Sequence, residues 1–173
     1  MGSMSVERGD VGVGFEGFAI DESSGLTDIE RVRLLRYVVL REPLGLPYEQ
    51  TLFPGDEFAG TTHFVGVMDG EPVGCLTLLP PGQSPAGSGI EDCGSGSPYV
   101  QLRGMAVVGS CQGRGIGSRL LAHVAGVAAQ RGWILWCKAR ESAVGFYAAN
   151  GWRVVGEEFE IPRIGKHRWM VSR

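Results

Sequence analysis

Long apolar runs are missing from this chain of 173 residues. No stretch approaches the ~20 residues needed to cross a bilayer, and no basic segment followed by an apolar one marks a secretory leader. The expected location is the cytoplasm, with no membrane partner. Cysteine is sparse and scattered: Cys75, Cys93, Cys111 and Cys137 form no C-x-x-C, which argues against a zinc knuckle and a redox dithiol. The three histidines, His63, His123 and His167, have no metal-ligand spacing, so no metal is expected. Excess positive charge is lacking too. A net charge of −3 disfavours a nucleic-acid partner, because such proteins are more often basic overall.

What is present is ordinary globular usage, 43% apolar and 20% charged, in a length that fits one domain of about 150 residues with a short remainder. Glycine is the outlier, with 28 residues but no Gly-x-y repeat, so collagen is excluded. Charge is distributed unevenly. Residues 1–98 carry 15 acids and 5 bases, net −10; residues 99–173 carry 4 acids and 11 bases, net +7. Either the halves neutralise each other in the fold, or the C-terminal half meets an anion while acids such as Glu42, Glu49, Asp56 and Glu57 attract a cationic amine.

Met1-Gly2-Ser3 ahead of Met4 reads as an expression scar. Residues 5–19, with glycines at 9, 12, 14 and 17, read as a frayed tail or an edge strand, giving a tail or first strand over 1–26 and a single domain over 27–173. From Thr27 the spacing of Ile29, Val32, Leu35, Val39 and Leu40 predicts an amphipathic helix, with Thr27 and Glu30 as a capping box and Pro43 as its stop. Two apolar stretches, His63–Met68 and Pro72–Leu79, flank Asp69-Gly70 and predict a hairpin. Residues 80–98 hold glycine, serine and proline without periodicity and predict a flexible loop. A strand over Tyr99–Val108, a helix over Ile116–Arg131, a buried strand over Ile134–Ala139, a Ser142-capped helix through Ala149 and one or two last strands complete the order. The class is α/β, a mixed sheet flanked by helices.

The chemistry lies where the Tyr99–Val108 strand turns into Gln112-Gly113-Arg114-Gly115-Ile116-Gly117 and the helix continues at Ser118. A glycine-rich turn opening a helix aims free backbone N–H groups and the positive end of the dipole at one point, a phosphate site, and Arg114 and Arg119 add charge. The alternative is a glycine-rich turn that binds nothing. The dinucleotide fingerprint fails at Ser118, which stands where a glycine is needed, and no Gly-Lys-Ser/Thr triplet makes a P-loop.

The hexapeptide resembles the Q/R-x-x-G-x-G/A signature of the GNAT superfamily of N-acetyltransferases. Arg103-Gly104-Met105-Ala106-Val107 resembles the bulged strand before it. Ala143, Phe146-Tyr147 and Asn150-Gly151-Trp152 resemble the family's later aromatic segment. The resemblance implies a mostly antiparallel central sheet and acetyl-CoA as co-substrate. It implies pyrophosphate held by the amides from Gln112 and Gly113 through Arg114, Gly115, Ile116 and Gly117 to Ser118. Pantetheine would lie along Met105, Ala106 and Val107, with Phe146 beside it, and Tyr147 would protonate the departing thiolate. The strand before the signature offers Gln101 and Arg103 where many family members place a glutamate. Candidates for the base are then His167, His63, Glu160 and Glu42, with His167 leading because Ile164–Met170 resembles the ending of a broad branch of these enzymes.

The implied activity is acetyl transfer to a primary amine of a small molecule. A protein N-terminus or lysine as acceptor, a non-catalytic acyl-CoA sensor, and a nucleotide-binding regulatory domain stand as alternatives. Family members are often dimers, and nothing in the chain decides between monomer and homodimer.

Overall fold

The computed structural model describes residues 16–93 and 96–172; the scar at 1–3 and most of the glycine-rich tail lie outside the described residues. Seven strands form one sheet: β1 (Phe18–Ser24), β2 (Thr62–Met68), β3 (Glu71–Leu78), β4 (Tyr99–Val107), β5 (Ile134–Arg140), β6 (Arg153–Ile161) and β7 (Gly165–Val171). Their order is β1-β2-β3-β4-β5-β7-β6, and every neighbouring pair is antiparallel except β4 and β5. The expected mixed, mostly antiparallel sheet is the sheet that forms. The hairpin turns where expected, because Asp69 (φ 52°) and Gly70 (φ 85°) both take the left-handed conformation that a two-residue turn between twisted strands requires.

Among the described residues three α-helices cover the sheet: α1 (Ile29–Arg36), α2 (Ile116–Arg131) and α3 (Val144–Ala149). Alternation along β2 sends Val65 to one face, with Ile29, Val32 and Leu35 of α1, and Phe64 to the other, with Leu120, Leu121 and Val124 of α2. Tyr147 of α3 and Trp152 just after it join the α2 side.

Two predicted caps do not form. Asp28, not Thr27, holds the first cap of α1, in a left-handed conformation (φ 55°), and its carboxylate accepts from Arg31 (2.7 Å) and not from a helix N–H. Glu30 instead accepts from Arg33 (2.8 Å) and the Tyr48 hydroxyl (2.7 Å), partners that outcompete a backbone N–H. Ser142 likewise caps nothing, because a 3-10 turn over Glu141–Ala143 carries the chain from β5 into α3 and puts Ala143 at the cap. The α1 path runs on through a π turn (Tyr37–Arg41) into a 3-10 turn containing Pro43.

None of the described residues of 80–98 belongs to a strand, yet the expected flexible loop is anchored at its middle. Ile90 is fully buried against Trp136, Val155 and Val171, and Gly82 bridges to Tyr99. Gly156, at the irregularity in β6, gives Ser88 the room to approach, since a Cβ there would collide with the Ser88 carbonyl.

Candidate active site

Strands β4 and β5 pair only from Tyr99 to Gln101, against Ile134 to Trp136, and then splay apart. Between Cys75 and Thr77 of β3 the partner positions on β4 move from Ala106 to Arg103, so β4 holds one extra residue and bulges around Gly104. Gly104 has φ 60°, and a Cβ there would lie 2.5 Å from Arg36 Nε, so only glycine lets the bulge sit on that guanidinium. Beyond the bulge the Val108 N–H donates to the Val73 carbonyl on β3 (2.9 Å). Backbone groups alternate sides along a strand, so those of Val107, and of Met105 two residues earlier, turn into the gap facing β5. Gln112 Nε2 donates to the Val107 carbonyl at 2.9 Å and ties the loop to this strand.

The gap opens into a cleft with two lobes. The larger, about 630 Å³, runs along Met105, Ala106 and Val107 to Gln112, Gly113 and the start of α2, with Phe146 opposite. Gly113 (φ 70°) and Gly115 (φ 83°) are left-handed, and Gly115 is the residue that caps α2. The amides of Ile116, Gly117 and Ser118 have no partner within the helix and line this lobe. A Cβ on Gly117 would stand 3.0 Å from the Phe146 ring, so the signature glycine lets α3 close on α2. Of the predicted binding residues, Met105, Ala106, Val107, Gln112, Gly113, Gly115, Ile116, Gly117, Ser118 and Phe146 are brought together here. Arg114 is exposed and does not line the lobe.

The smaller lobe, about 310 Å³, lies between Arg103 and Gly104 on one side and Lys138 to Arg140 on the other, with Phe53, Ile164 and His167 around it. Tyr147 lines both lobes and stands at their junction. Its hydroxyl donates to Met105 Sδ at 3.6 Å. Burial, aided by the neighbouring Cys137, raises its pKa well above the usual phenol range, so the proton stays on at neutral pH. Burial pushes the Cys137 thiol up to about 12, which makes it inert as a nucleophile at neutral pH.

Among the candidate bases only His167 reaches the cleft. Its Nδ1 lies 2.7 Å from the Gly165 carbonyl, which only accepts, so Nδ1 carries the hydrogen and Nε2 keeps the lone pair. Burial lowers its pKa, the charges of Arg140 and Lys138 lower it further, and the Gly165 bond acts in the opposite sense. Glu42 and Glu160 line neither lobe. His63 is fully buried elsewhere, with its Nε2–H donating to the Gly25 carbonyl (2.9 Å) and Nδ1 accepting from Thr77 (2.7 Å).

Behind the smaller lobe, Asp56 is fully buried and accepts from Arg36 (2.6 Å), the Phe53 amide (2.7 Å) and Arg103 (3.0 Å). Arg36, fully buried as well, also donates to Thr77 Oγ1 (2.7 Å) and the Thr51 carbonyl (2.9 Å). This network holds Arg103 at the lobe. Asp56 therefore divides its single negative charge between two arginines and attracts nothing from outside. Arg41, Lys138 and Arg140 were missed in the sequence; a charged residue ending the apolar run of β5 was the available signal for Arg140.

Fold and cleft together define an acyltransferase. The chain belongs to the Acetyltransferase (GNAT) family, which matches residues 27–152. It is similar, at 31% identity over 140 residues (80% of this chain and 87% of the relative), to YitI of Bacillus subtilis (strain 168), described as an uncharacterized N-acetyltransferase. A solved acyl-CoA N-acyltransferase of Pseudomonas aeruginosa shares the fold, with a TM-score of 0.69 and 20% identity, over 90% of this chain and 99% of that one. An aminoglycoside 6'-N-acetyltransferase solved with coenzyme A superposes with a TM-score of 0.60 and 16% identity, over 89% of this chain and 96% of that one.

Proposed function

We propose that the chain moves an acetyl group from acetyl-CoA to a primary amine of a small molecule, by direct attack in a ternary complex. The observation that carries this reading is Tyr147, a buried, proton-retaining hydroxyl at the meeting point of two lobes. The larger lobe suits acetyl-CoA: backbone amides at the start of α2 for pyrophosphate, and the inward-facing groups of Met105 and Val107 to pair with pantetheine as an added strand does. The smaller lobe takes the amine.

In the reaction the amine nitrogen forms a bond to the thioester carbonyl carbon and the carbon–sulfur bond breaks, its electron pair leaving on sulfur. The substrate ammonium loses two protons. His167 Nε2 accepts the first before attack and passes it to solvent; Tyr147 gives its proton to the departing sulfur, and the second proton, lost from nitrogen as the adduct collapses, restores the Tyr147 hydroxyl. The net result is an amide, CoA thiol and one proton to solvent. No helix among the described residues is long and apolar enough to cross a membrane.

No carboxylate lines either lobe, which favours a second reading, an acyl-CoA sensor with no turnover. A thermal-shift titration with acetyl-CoA, longer acyl-CoAs, CoA, NAD and ATP tests both readings at their common root. A ligand at about 100 times its Kd stabilises by roughly 2.7 kcal/mol, a rise of about 5 to 11 °C for a domain of this size. Acetyl-CoA should give that rise, and Gly115→Val, which puts a branched side chain at a left-handed position facing the phosphates, should abolish it. A rise with NAD or ATP alone would overturn the proposal. CoA release on adding amines separates enzyme from sensor.

A further inference from the structure

We infer that the amine acceptor is itself an anion, an amine carrying a carboxylate or a phosphate-type group within a few atoms of its nitrogen. This rests on the acyl transfer proposed above and names the acceptor's class. Four permanent cations, Arg41, Arg103, Lys138 and Arg140, line the smaller lobe, and no acid lines it. They come from three parts of the fold: the π turn after α1, the bulge of β4, and the end of β5 that has parted from β4 and pairs with β7 alone. Arg41, Arg103 and Lys138 are absent from the larger lobe, so they do not serve the pyrophosphate loop.

Counter-charge is scarce. Asp56 is shared between Arg36 and Arg103. Glu57 is exposed and reaches Arg103 only through its field. On the flanking strands Glu158 pairs with Lys166 (2.9 Å), Glu141 faces Arg168 (3.7 Å), and Glu160 lies outside the lobe. Arg41, Lys138 and Arg140 have no ion-pair partner among the described residues.

Two guanidiniums without a carboxylate partner converge, and Arg41 also donates from Nε to the Gln50 carbonyl (3.0 Å) and lies over the Phe53 ring (4.8 Å). Arg41 (3.3 Å) and Arg140 (3.0 Å) both donate to the Leu40 carbonyl, and Leu40 lines both lobes. Like charges drawn together in a half-buried cleft are costly unless an anion sits between them. Lys138 Nζ stands over the Trp169 ring at 5.1 Å, held by an aromatic face rather than a carboxylate. A cationic amine would enter this lobe against Arg41, Lys138 and Arg140, which have no ion-pair partner among the described residues, and against Arg103, which Asp56 compensates only in part. An amino acid or aminophosphonate would fit it, because the anion is held by the arginines while the amine faces His167. At about 310 Å³ the lobe holds a small acceptor, or the amine-bearing end of a larger one that extends through its open mouth. The acidic N-terminal half, read from sequence as a lure for cations, contributes no side-chain carboxylate to this lobe.

The test is a matched acceptor panel on the full chain at saturating acetyl-CoA, read as CoA thiol release. The twenty standard amino acids are compared with their carboxamides, with 1-aminoalkylphosphonates, and with spermidine and an aminoglycoside as cationic amines. At least one carboxylate or phosphonate acceptor should exceed its neutral counterpart tenfold or more in kcat/KM, and the two anionic series identify which anion is used. Arg41→Met and Lys138→Met should each raise the KM of that acceptor about tenfold and leave the acetyl-CoA Kd within twofold. Lys138 is exposed, so its variant folds even if Arg41→Met does not. Carboxamides or cationic amines used as well as the acids would overturn the inference and leave the acetyltransferase standing. Bound acetyl-CoA with no release from any series would overturn it as well. Absence of acetyl-CoA binding would instead strike the proposed function.

Discussion

Asparagine in place of Asp56 keeps the shape of a fully buried side chain and removes its charge. Three groups then lose their acceptor's charge at once: Arg36 at 2.6 Å, Arg103 at 3.0 Å and the Phe53 amide at 2.7 Å. Arg36 has no exposure through which water could take over, and its Nε already lacks a hydrogen-bond partner. Removing one member of a buried pair costs about 3 to 5 kcal/mol, because the other charge stays behind uncompensated. For a domain of this size that lowers Tm by roughly 6 to 20 °C. The loss depends on pH. Burial alone would raise the Asp56 pKa, but Arg36, the Phe53 amide and Arg103 together bring it below the ordinary carboxylate value. A depressed pKa gives stability that is complete above the unfolded value near ~3.9 and disappears as pH falls through the folded value. Urea denaturation of wild type and Asp56→Asn should therefore differ by the full amount at pH 7 and converge in acid. Adding Arg36→Met to the variant should cost much less than it does alone, since the stranded charge is then gone. A loss below about 1 kcal/mol at pH 7, or a difference constant with pH, would refute this account of the network.

Tyr147→Phe should lower kcat by about 10²-fold or more while acetyl-CoA binds as before, because its hydroxyl acts on the leaving sulfur; an unchanged kcat removes it from the mechanism. The acid limb of kcat/KM against pH should lie below the ~6.5 of an ordinary histidine, since burial and two cations lower the His167 pKa. That limb should vanish in His167→Gln, and a limb retained there would mean another base. Ile90→Ala should cost about 2 to 5 kcal/mol in denaturant, as for any fully buried aliphatic residue, whereas a loose 80–98 segment would lose almost nothing.

The fold was legible wherever a short-range rule decided the outcome. Asp69-Gly70 fixed the hairpin, and the Ile116–Arg131 periodicity gave α2 its bounds. The caps at Thr27 and Ser142 were misjudged because tertiary partners intervened: Tyr48, eighteen residues on, takes Glu30, and the turn after β5 displaces the start of α3. Ile90 looked like loop because one apolar residue among glycines and prolines has no period, and its burial depends on β5, β6 and β7 closing over it. In the cleft, the glycine turn, the bulged strand and Tyr147 were readable because they are contiguous motifs. The cationic lobe was not, because Arg41, Arg103 and Arg140 are separated by long stretches of chain and meet only through the sheet. Summing charge by halves even pointed the wrong way for Asp56, an acid that counts in sequence but is neutralised inside.

The splay between β4 and β5 also bears on solubility. Unpaired strand edges recruit other chains, and proteins usually blunt them at the outside of a sheet with charge, proline or irregular pairing. Here the unpaired stretch of β4 lies in mid-sheet, with β5, α2 and α3 around it, and not at an outer edge of the sheet. The molecule thus keeps open backbone hydrogen-bonding capacity for a narrow ligand without presenting it as a seed for aggregation.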